Sequence, residues 1–381
     1  MPDQPPSVPL ADRVLSGRYR LVRLLARGGM AEVWEGHDQV LARPVAIKLL
    51  HPHLAGDEAF VERFRREAVA AARLVHPGIV ATYDTGTDDG AAFIVMELVR
   101  GHTLREALAE SGPLPTAVAV PIAAKVADAL DHAHRAGLVH RDVKPANILV
   151  AHQPGAAAAV GVKVADFGIA RMEPDEGAVV LTQTGTVVGT AAYLSPEQVT
   201  GGTPDGRSDG YALGVVLYEM LCGEPPFSAD TDLATALLHV RETPAAPREH
   251  RPAIPAPLER VVLTAMAKQP EERYQSLADF RDALLALDLT ALDRADGTEP
   301  QGLADGDHGD ESSGDDGEPT GEMAAVGGER RPATPPAGTA PLPRAPERRR
   351  GPLAGLVALS VLALVVVGLL VAGAVARCRP E

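Results

Sequence analysis

Cysteine is nearly missing from this 381-residue chain, where Cys222 and Cys378 are the only two. A disulfide scaffold is thereby excluded, and a reducing compartment suits the bulk of the protein. Lysine is scarce as well, five residues against thirty-one arginines. No segment forms a strongly basic stripe, which argues against a nucleic-acid partner. Met1–Arg13 holds no apolar run, so no secretory signal peptide is expected there. Two common nucleotide-binding signatures are missing too. There is no G-x-x-x-x-G-K-[ST] run, and no strand leads into a G-x-G-x-x-G turn that opens a helix.

What is present is charge, unevenly placed. The formal net charge is −15. Residues 293–322 hold eleven acids against Arg294 alone, a net of −10, whereas residues 323–381 hold eight arginines against three glutamates, a net of +5. With 45% hydrophobic residues the chain can build an ample core, as one large or two ordinary domains.

Residues 1–14, proline-rich over the first nine, are expected to be disordered. From Tyr19 to about Leu287 apolar periodicity is sustained, strand-like at first and helical later. YRLVRLLARGGMAEVWEGHD reads as two strands around a glycine turn, and RPVAIKLL as a third. FVERFRREAVAAARLV reads as a helix, because Phe60, Phe64, Ala68 and Ala72 recur every fourth residue. Strands first and helices after predict an α+β unit in two lobes. The segment 290–350 is rich in Asp, Gly, Glu, Pro and Ala and is expected to be a disordered linker, acidic and then Pro/Arg-rich.

From Leu353 to Ala376 the only polar side chain is Ser360. As a helix this run spans roughly 36 Å, enough to cross a membrane. We expect one transmembrane helix over 352–376 and a tail of 377–381 outside. Arg344, Arg348, Arg349 and Arg350 precede the run, against Arg377 and Arg379 beyond it, which orients the folded part to the cytoplasm. Gly368, Ala372 and Ala376 share one face of that helix and offer a route to a homodimer.

The chemistry concentrates at HRDVKPANILV, His140 to Val150. His140, Arg141, Asp142, Lys144 and Asn147 are crowded between the apolar pairs Leu138-Val139 and Ile148-Leu149. A capped surface turn explains Asp142 or Asn147 singly, but not the set. Phosphoryl transfer from ATP needs donors for the triphosphate, oxygen ligands for magnesium, a cation at the moving phosphate and a carboxylate beside the attacking hydroxyl. The chain offers these in order. Gly28-Gly29 lies between two strands, Lys48 closes the run VAIK, and Glu67 sits on the following helix, available to pair with that lysine. Asp142, Lys144 and Asn147 come next, and then Asp166-Phe167-Gly168.

These motifs resemble those of eukaryotic-type (Hanks-type) protein kinases, most of all the bacterial membrane-anchored serine/threonine kinases. VAIK at 45–48, HRDVKPAN at 140–147, DFG at 166–168 and SPE at 195–197 match in the family's order, over about residues 15–287. The resemblance implies a two-lobed kinase fold over 15–289, a small β-rich N-lobe over about 15–97 and a larger helical C-lobe over about 101–289. It implies ATP as cofactor with Mg2+, or Mn2+ in its place, and protein substrates with Ser or Thr acceptors. Asp142 would accept the proton of the acceptor hydroxyl, Lys144 would stabilise the γ-phosphate, and Asn147 and Asp166 would hold the metal. Lys48 would contact the α- and β-phosphates and pair with Glu67.

Around the nucleotide the resemblance sets Leu25, Ala26, Gly28, Gly29, Val33 and Ala46. Met96 would be the gatekeeper, Glu97–Val99 the hinge, and Leu149 part of the adenine floor. Where the family has three loop glycines, this chain has Ala26, Gly28 and Ala31. Asp209 would accept N–H bonds from the catalytic loop, and Glu197 would pair with Arg273. Lys144 after the HRD triplet favours Ser or Thr over Tyr as acceptor. Thr182, Thr184 and Thr186 follow in quick succession. Autophosphorylation is expected at Thr182 and Thr184, with Arg141 as the cation that receives the phosphate. By the same likeness, Thr190 would touch Asp142. A small-molecule phosphotransferase of similar fold would lack the SPE segment, and a membrane-tethered pseudokinase would not need Lys48, Asp142, Asn147 and Asp166 all intact.

Overall fold

Alternation along one strand, Arg43–Leu50, sorts the N-terminal half into two faces. Successive side chains of a strand point to opposite sides, so Val45, Ile47 and Leu49 enter one apolar cluster with Leu15, Tyr19, Leu21, Trp34, Phe93 and Val95. Leu50 enters another with Phe64, Ala68, Ala92 and Ile94. Lys48 shares the parity of Leu50 and is 7% exposed. A charged side chain thus belongs to the face that a helix covers.

The computed structural model describes residues 11–152, 160–167 and 191–288. All lie in the first of two compact units, Met1–Asp305; the second, Gly306–Glu381, falls outside the described residues. So do residues 1–10, the linker, the transmembrane segment over 352–376, Gly168 and the threonines at 182, 184, 186 and 190. The disorder expected over 1–14 fails at its last residues, because Asp12 N–H donates to Leu21 O, Leu21 N–H to Arg13 O, and Val14 opens a strand.

Strands β1 (Val14–Leu15), β2 (Tyr19–Arg27), β3 (Ala31–Asp38) and β4 (Arg43–Leu50) are followed by helix α1 (Glu58–Ala71), then β5 (Thr82–Asp88) and β6 (Ala91–Met96). The six strands form one sheet in the order β1-β2-β3-β4-β6-β5, with antiparallel pairing throughout. The two strands read around the glycine turn are β2 and β3, and RPVAIKLL is β4. Helix α1 starts where Asp57 accepts from the Phe60 N–H at 3.1 Å, a side-chain cap that satisfies an otherwise unpaired donor. Its apolar stripe buries Phe64 completely, a burial that stabilises by about 1.5–3 kcal/mol.

The second half is mainly helical: α2 (Leu104–Ser111), α3 (Thr116–Arg135), α4 (Pro196–Thr200), α5 (Gly206–Cys222), α6 (Asp232–Arg241), α7 (Pro247–His250), α8 (Ala256–Ala265) and α9 (Leu277–Leu285). Alanines at 119, 123, 127 and 133 are fully buried along α3, where small side chains let neighbouring helices approach. Gly210 is a weak helix former, yet α5 runs unbroken through it, because nearly every residue from Ser208 to Leu221 is buried. Burial outweighs the modest intrinsic cost of one glycine, about 1 kcal/mol.

One feature of this half does not show in the apolar pattern. Three short strands, β7 (His102–Thr103), β8 (Ile148–His152) and β9 (Val160–Val164), form a second sheet in that order. Residues 140–147 lie between α3 and β8. Val164 also donates to Gly78 O at 2.8 Å and Val80 to Val164 O at 2.9 Å, which ties this sheet to the segment after α1.

Candidate active site

The register of the first sheet carries one line of residues toward the cleft. Ala26 pairs with Val33, Val33 with Lys48, and Lys48 with Ile94. Ala46 pairs with Met96. The β2–β3 turn closes by a Gly28 N–H bond to Ala31 O at 2.9 Å, and there is open space where a Cβ at Gly29 would stand. Leu25 is 38% exposed on the same strand. The side chain of Glu67 falls outside what the structure describes.

Lys48 Nζ lies 2.8 Å from Asp166 Oδ1, joining residues 118 positions apart. Burial disfavours the Asp166 carboxylate, but the adjoining Lys48 ammonium, with His140 and Lys144 behind it, holds its pKa below the ordinary value. Asp166 adopts φ +56°, an uncommon left-handed conformation for a residue with a Cβ. The next residue, Phe167, is buried with its ring 4.7 Å from that of His140.

The loop 140–147 is held from below by one carboxylate. Asp209, near the start of α5, is 1% exposed. It accepts from His140 N–H at 2.8 Å, Arg141 N–H at 2.7 Å and His134 Nε2 at 2.7 Å. Backbone donors that would be orphaned in a turn are thereby satisfied. His140, fully buried, closes the loop from inside: its Nε2 meets Ala165 O at 3.0 Å and its Nδ1 accepts from Asp142 N–H at 3.2 Å. Ile148 is buried and Leu149 half-buried, the alternation that anchors the loop and turns the next side chain outward.

Asp142 sits above this frame. Its Oδ2 accepts from Lys144 Nζ at 2.8 Å and from Asn147 Nδ2 at 3.2 Å, and Asn147 Nδ2 also donates to Asp142 O at 2.8 Å. The Asn147 amide therefore presents nitrogen to Asp142, which leaves its oxygen for another partner. Arg141 has φ +65° and a buried Nε that meets no hydrogen-bond acceptor among the described residues. Burial lowers its pKa, with Asp209 opposing.

Glu97 departs from a pure hinge role. Its carboxylate pairs with Lys163 Nζ at 2.9 Å and accepts from Ala81 N–H at 3.3 Å, while its own N–H donates to Ala81 O at 2.8 Å. A ligand contact from the Glu97 backbone would therefore use the carbonyl. Met96 and Val99 are half-buried. Met96 lines a small crevice with Lys48, Thr82, Ile94, Asp166 and Phe167.

Glu197 and Arg273 form a two-pronged ion pair, 2.8 Å on each arm. Ser208 Oγ donates to the same carboxylate at 2.6 Å, and Arg273 also donates to Ala267 O, Lys268 O and Arg207 O. Burial works against the Glu197 charge, yet the Arg273 and Ser208 hydrogen bonds bring its pKa down to about 2. Two participants escape the sequence reading. His134 shares Asp209, and Gln198 Nε2 donates to Arg141 O at 3.0 Å. The S-P-E-Q run carries a signal for the second, since Ser or Thr followed three residues on by Glu or Gln marks a helix start.

The family profile described as protein kinase domain matches residues 19–289. The chain is 50% identical over 275 residues to the serine/threonine-protein kinase PknB of Mycobacterium leprae, covering 71% of this chain and 43% of that one. It is 48% identical over 273 residues to a probable serine/threonine-protein kinase of Streptomyces coelicolor, covering 71% and 40%. The chain thus spans less than half the length of these curated relatives. Among solved structures, the PknI kinase domain of Mycobacterium tuberculosis superposes with a TM-score of 0.56 at 31% identity, covering 73% of this chain and 99% of that one.

Proposed function

The chain belongs to the protein kinase domain family, and from that premise we propose that it transfers the γ-phosphate of ATP to Ser or Thr hydroxyls of proteins in bacterial signalling. The observation that carries this reading is a pair of neighbouring charge groups, Lys48 with Asp166 and Asp142 with Lys144 and Asn147, close enough that Lys144 acts on the Asp166 carboxylate and Ala165 N–H donates to Asn147 O. Lys48 holds the α- and β-phosphates. Asp142, kept in place by Lys144 and Asn147, takes the proton of the attacking hydroxyl, and Lys144 faces the charge of the moving phosphoryl group. Leu25, Ala26, Gly28, Gly29, Val33, Ala46, Met96, Glu97, Val99 and Leu149 line the nucleotide, with Glu67 supporting Lys48.

The donor set fits a hard divalent cation. Asp166 has one carboxylate oxygen beyond its bond to Lys48, and Asn147 has its amide oxygen; Mg2+ or Mn2+ takes few protein oxygens together with phosphate oxygens. When bound, the cation neutralises charge on the triphosphate. Arg141, with an unsatisfied buried Nε, is suited to a phosphate on Thr182 or Thr184, and autophosphorylation there raises activity. Glu197, Arg273 and Asp209 serve structure.

Kinase activity belongs to residues 15–289, with the linker 290–350, the membrane helix 352–376 and the tail 377–381 after it. That arrangement rests on hydropathy and arginine placement alone. Among the described residues no helix is long and apolar enough to cross a membrane. The test is phosphate incorporation from labelled ATP into a carrier protein, with Asp142→Asn alongside. Loss of about a hundredfold or more is expected, since proton transfer by a positioned group contributes about 10²–10⁴. Incorporation by wild type no greater than the background level of the variant would favour a binding-only pseudokinase.

A further inference from the structure

Gln198 takes no part in the reaction described above, yet it touches the reacting loop. Its Oε1 accepts from the N–H and the Oγ–H of fully buried Ser195, each at 3.0 Å. Its Nε2 donates to Arg141 O at 3.0 Å. This amide has only one workable orientation. Ser195 N–H can only donate and Arg141 O can only accept, so a reversed amide would break both contacts.

Arg141 O belongs to the peptide plane that joins Arg141 to Asp142. The N–H at the opposite edge of that plane, on Asp142, donates to His140 Nδ1 at 3.2 Å. A peptide unit is rigid and flat, so two hydrogen bonds on opposite edges fix its rotation and with it the direction in which Asp142 leaves the chain. The preceding N–H, on Arg141, is held by Asp209 at 2.7 Å. Such anchoring is required here, because Arg141 has φ +65°. A residue with a Cβ keeps that conformation only where its surroundings over-determine it.

We propose that Gln198 is a positioning residue: its amide locks the Arg141–Asp142 peptide and so aims the Asp142 carboxylate, coupling the start of α4 to phosphoryl transfer. The inference deepens the kinase reading and rests on it. Its chemical requirement is sharp, since Gln198 must accept at one end and donate at the other. Glutamate at the same place would keep the acceptor for Ser195, as it does in other helix caps. At neutral pH, however, it would set a carboxylate oxygen against the Arg141 carbonyl. Once protonated, it could donate again.

The experiment compares the full-length chain with Gln198→Glu and Gln198→Met. At pH 8 both variants should lose about tenfold or more in kcat with little change in KM for ATP, because a small misplacement of a reacting group can cost up to about 10²-fold. As pH falls toward the carboxyl range, the ratio of Q198E to wild-type kcat should climb, whereas that of Q198M stays flat. A lost cap with no positioning role would leave both ratios independent of pH, and that result overturns the proposal. Wild-type kcat in both variants overturns it equally. A crystal structure of Q198E at pH 8 gives a readout that needs no activity. Arg141 should leave the left-handed region, and an unmoved peptide defeats the proposal even if the enzyme is active. Failure of the kinase reading would show separately, as wild type that incorporates no phosphate.

Discussion

The ion pair between Glu197 and Arg273 shows how one residue can tie distant segments without touching the reaction. Arg273 has a side chain 1% exposed and Glu197 one 15% exposed, so removing either leaves a buried charge unpaired. Glu197→Ala should lower unfolding free energy by about 3–5 kcal/mol, measured by denaturant titration. The sign of the pH dependence follows from the direction of the shift. Folding pulls the Glu197 pKa from an ordinary 4.5 down to about 2. Its contribution is therefore complete above the unfolded value and is lost as pH falls through that window. The stability gap between wild type and variant should narrow from pH 4.5 toward 2; a gap constant across that range would refute the assignment. At this scale the sequence is legible wherever a residue belongs to a contiguous motif, as Asp142, Lys144 and Asn147 do. It is not legible for the contact of His134 with Asp209 or of Gln198 with Arg141, which exist only because α3 and α4 come to lie beside the loop.

At the scale of elements, β4 is readable because period-two alternation of apolar residues records which face is buried. Strands β7, β8 and β9 are not, since two to five residues carry too little pattern to separate a strand from a loop. The link between the two halves also depends on one of these short pieces. Gly101 precedes β7, and a Cβ there would fall on Val150 O and close to Ala151. Both obstacles include backbone, which cannot move aside as a flexible side chain would. Gly101→Ala should therefore destabilise by about 1–3 kcal/mol, the usual cost of overpacking, and weaken ATP binding by displacing the nearby Glu97–Val99 segment. A thermal melt and a nucleotide titration check both. An unchanged melting point would mean that the strand pair relaxes freely.

For the whole molecule, the lesson concerns how far pattern reaches. The α+β class is visible in the order of periodicities, but the meeting of Lys48 with Asp166 across 118 positions is tertiary and accessible only through likeness to a family. The apolar run Leu353–Ala376 is the reverse case, clear in hydropathy and outside the described residues. Deleting 353–376 should move the protein from the membrane fraction to the soluble fraction on centrifugation while leaving phosphate incorporation intact. Recovery of both forms in the soluble fraction would remove the membrane helix from the account.

The two-sidedness of β4 also constrains how such a chain can change over time. Odd and even positions of that strand answer to different masters, the odd ones to the cluster with Trp34 and Phe93 and the even ones to the face that helix α1 covers. Inserting a single residue between Ile47 and Lys48 would reverse the parity of one side of the strand against the other, so that Lys48 could keep its face only if Val45 and Ile47 left their apolar cluster. Inserting two would restore the parity. Length variation in this family member should accordingly be tolerated in the turns flanking β4 and rejected inside it.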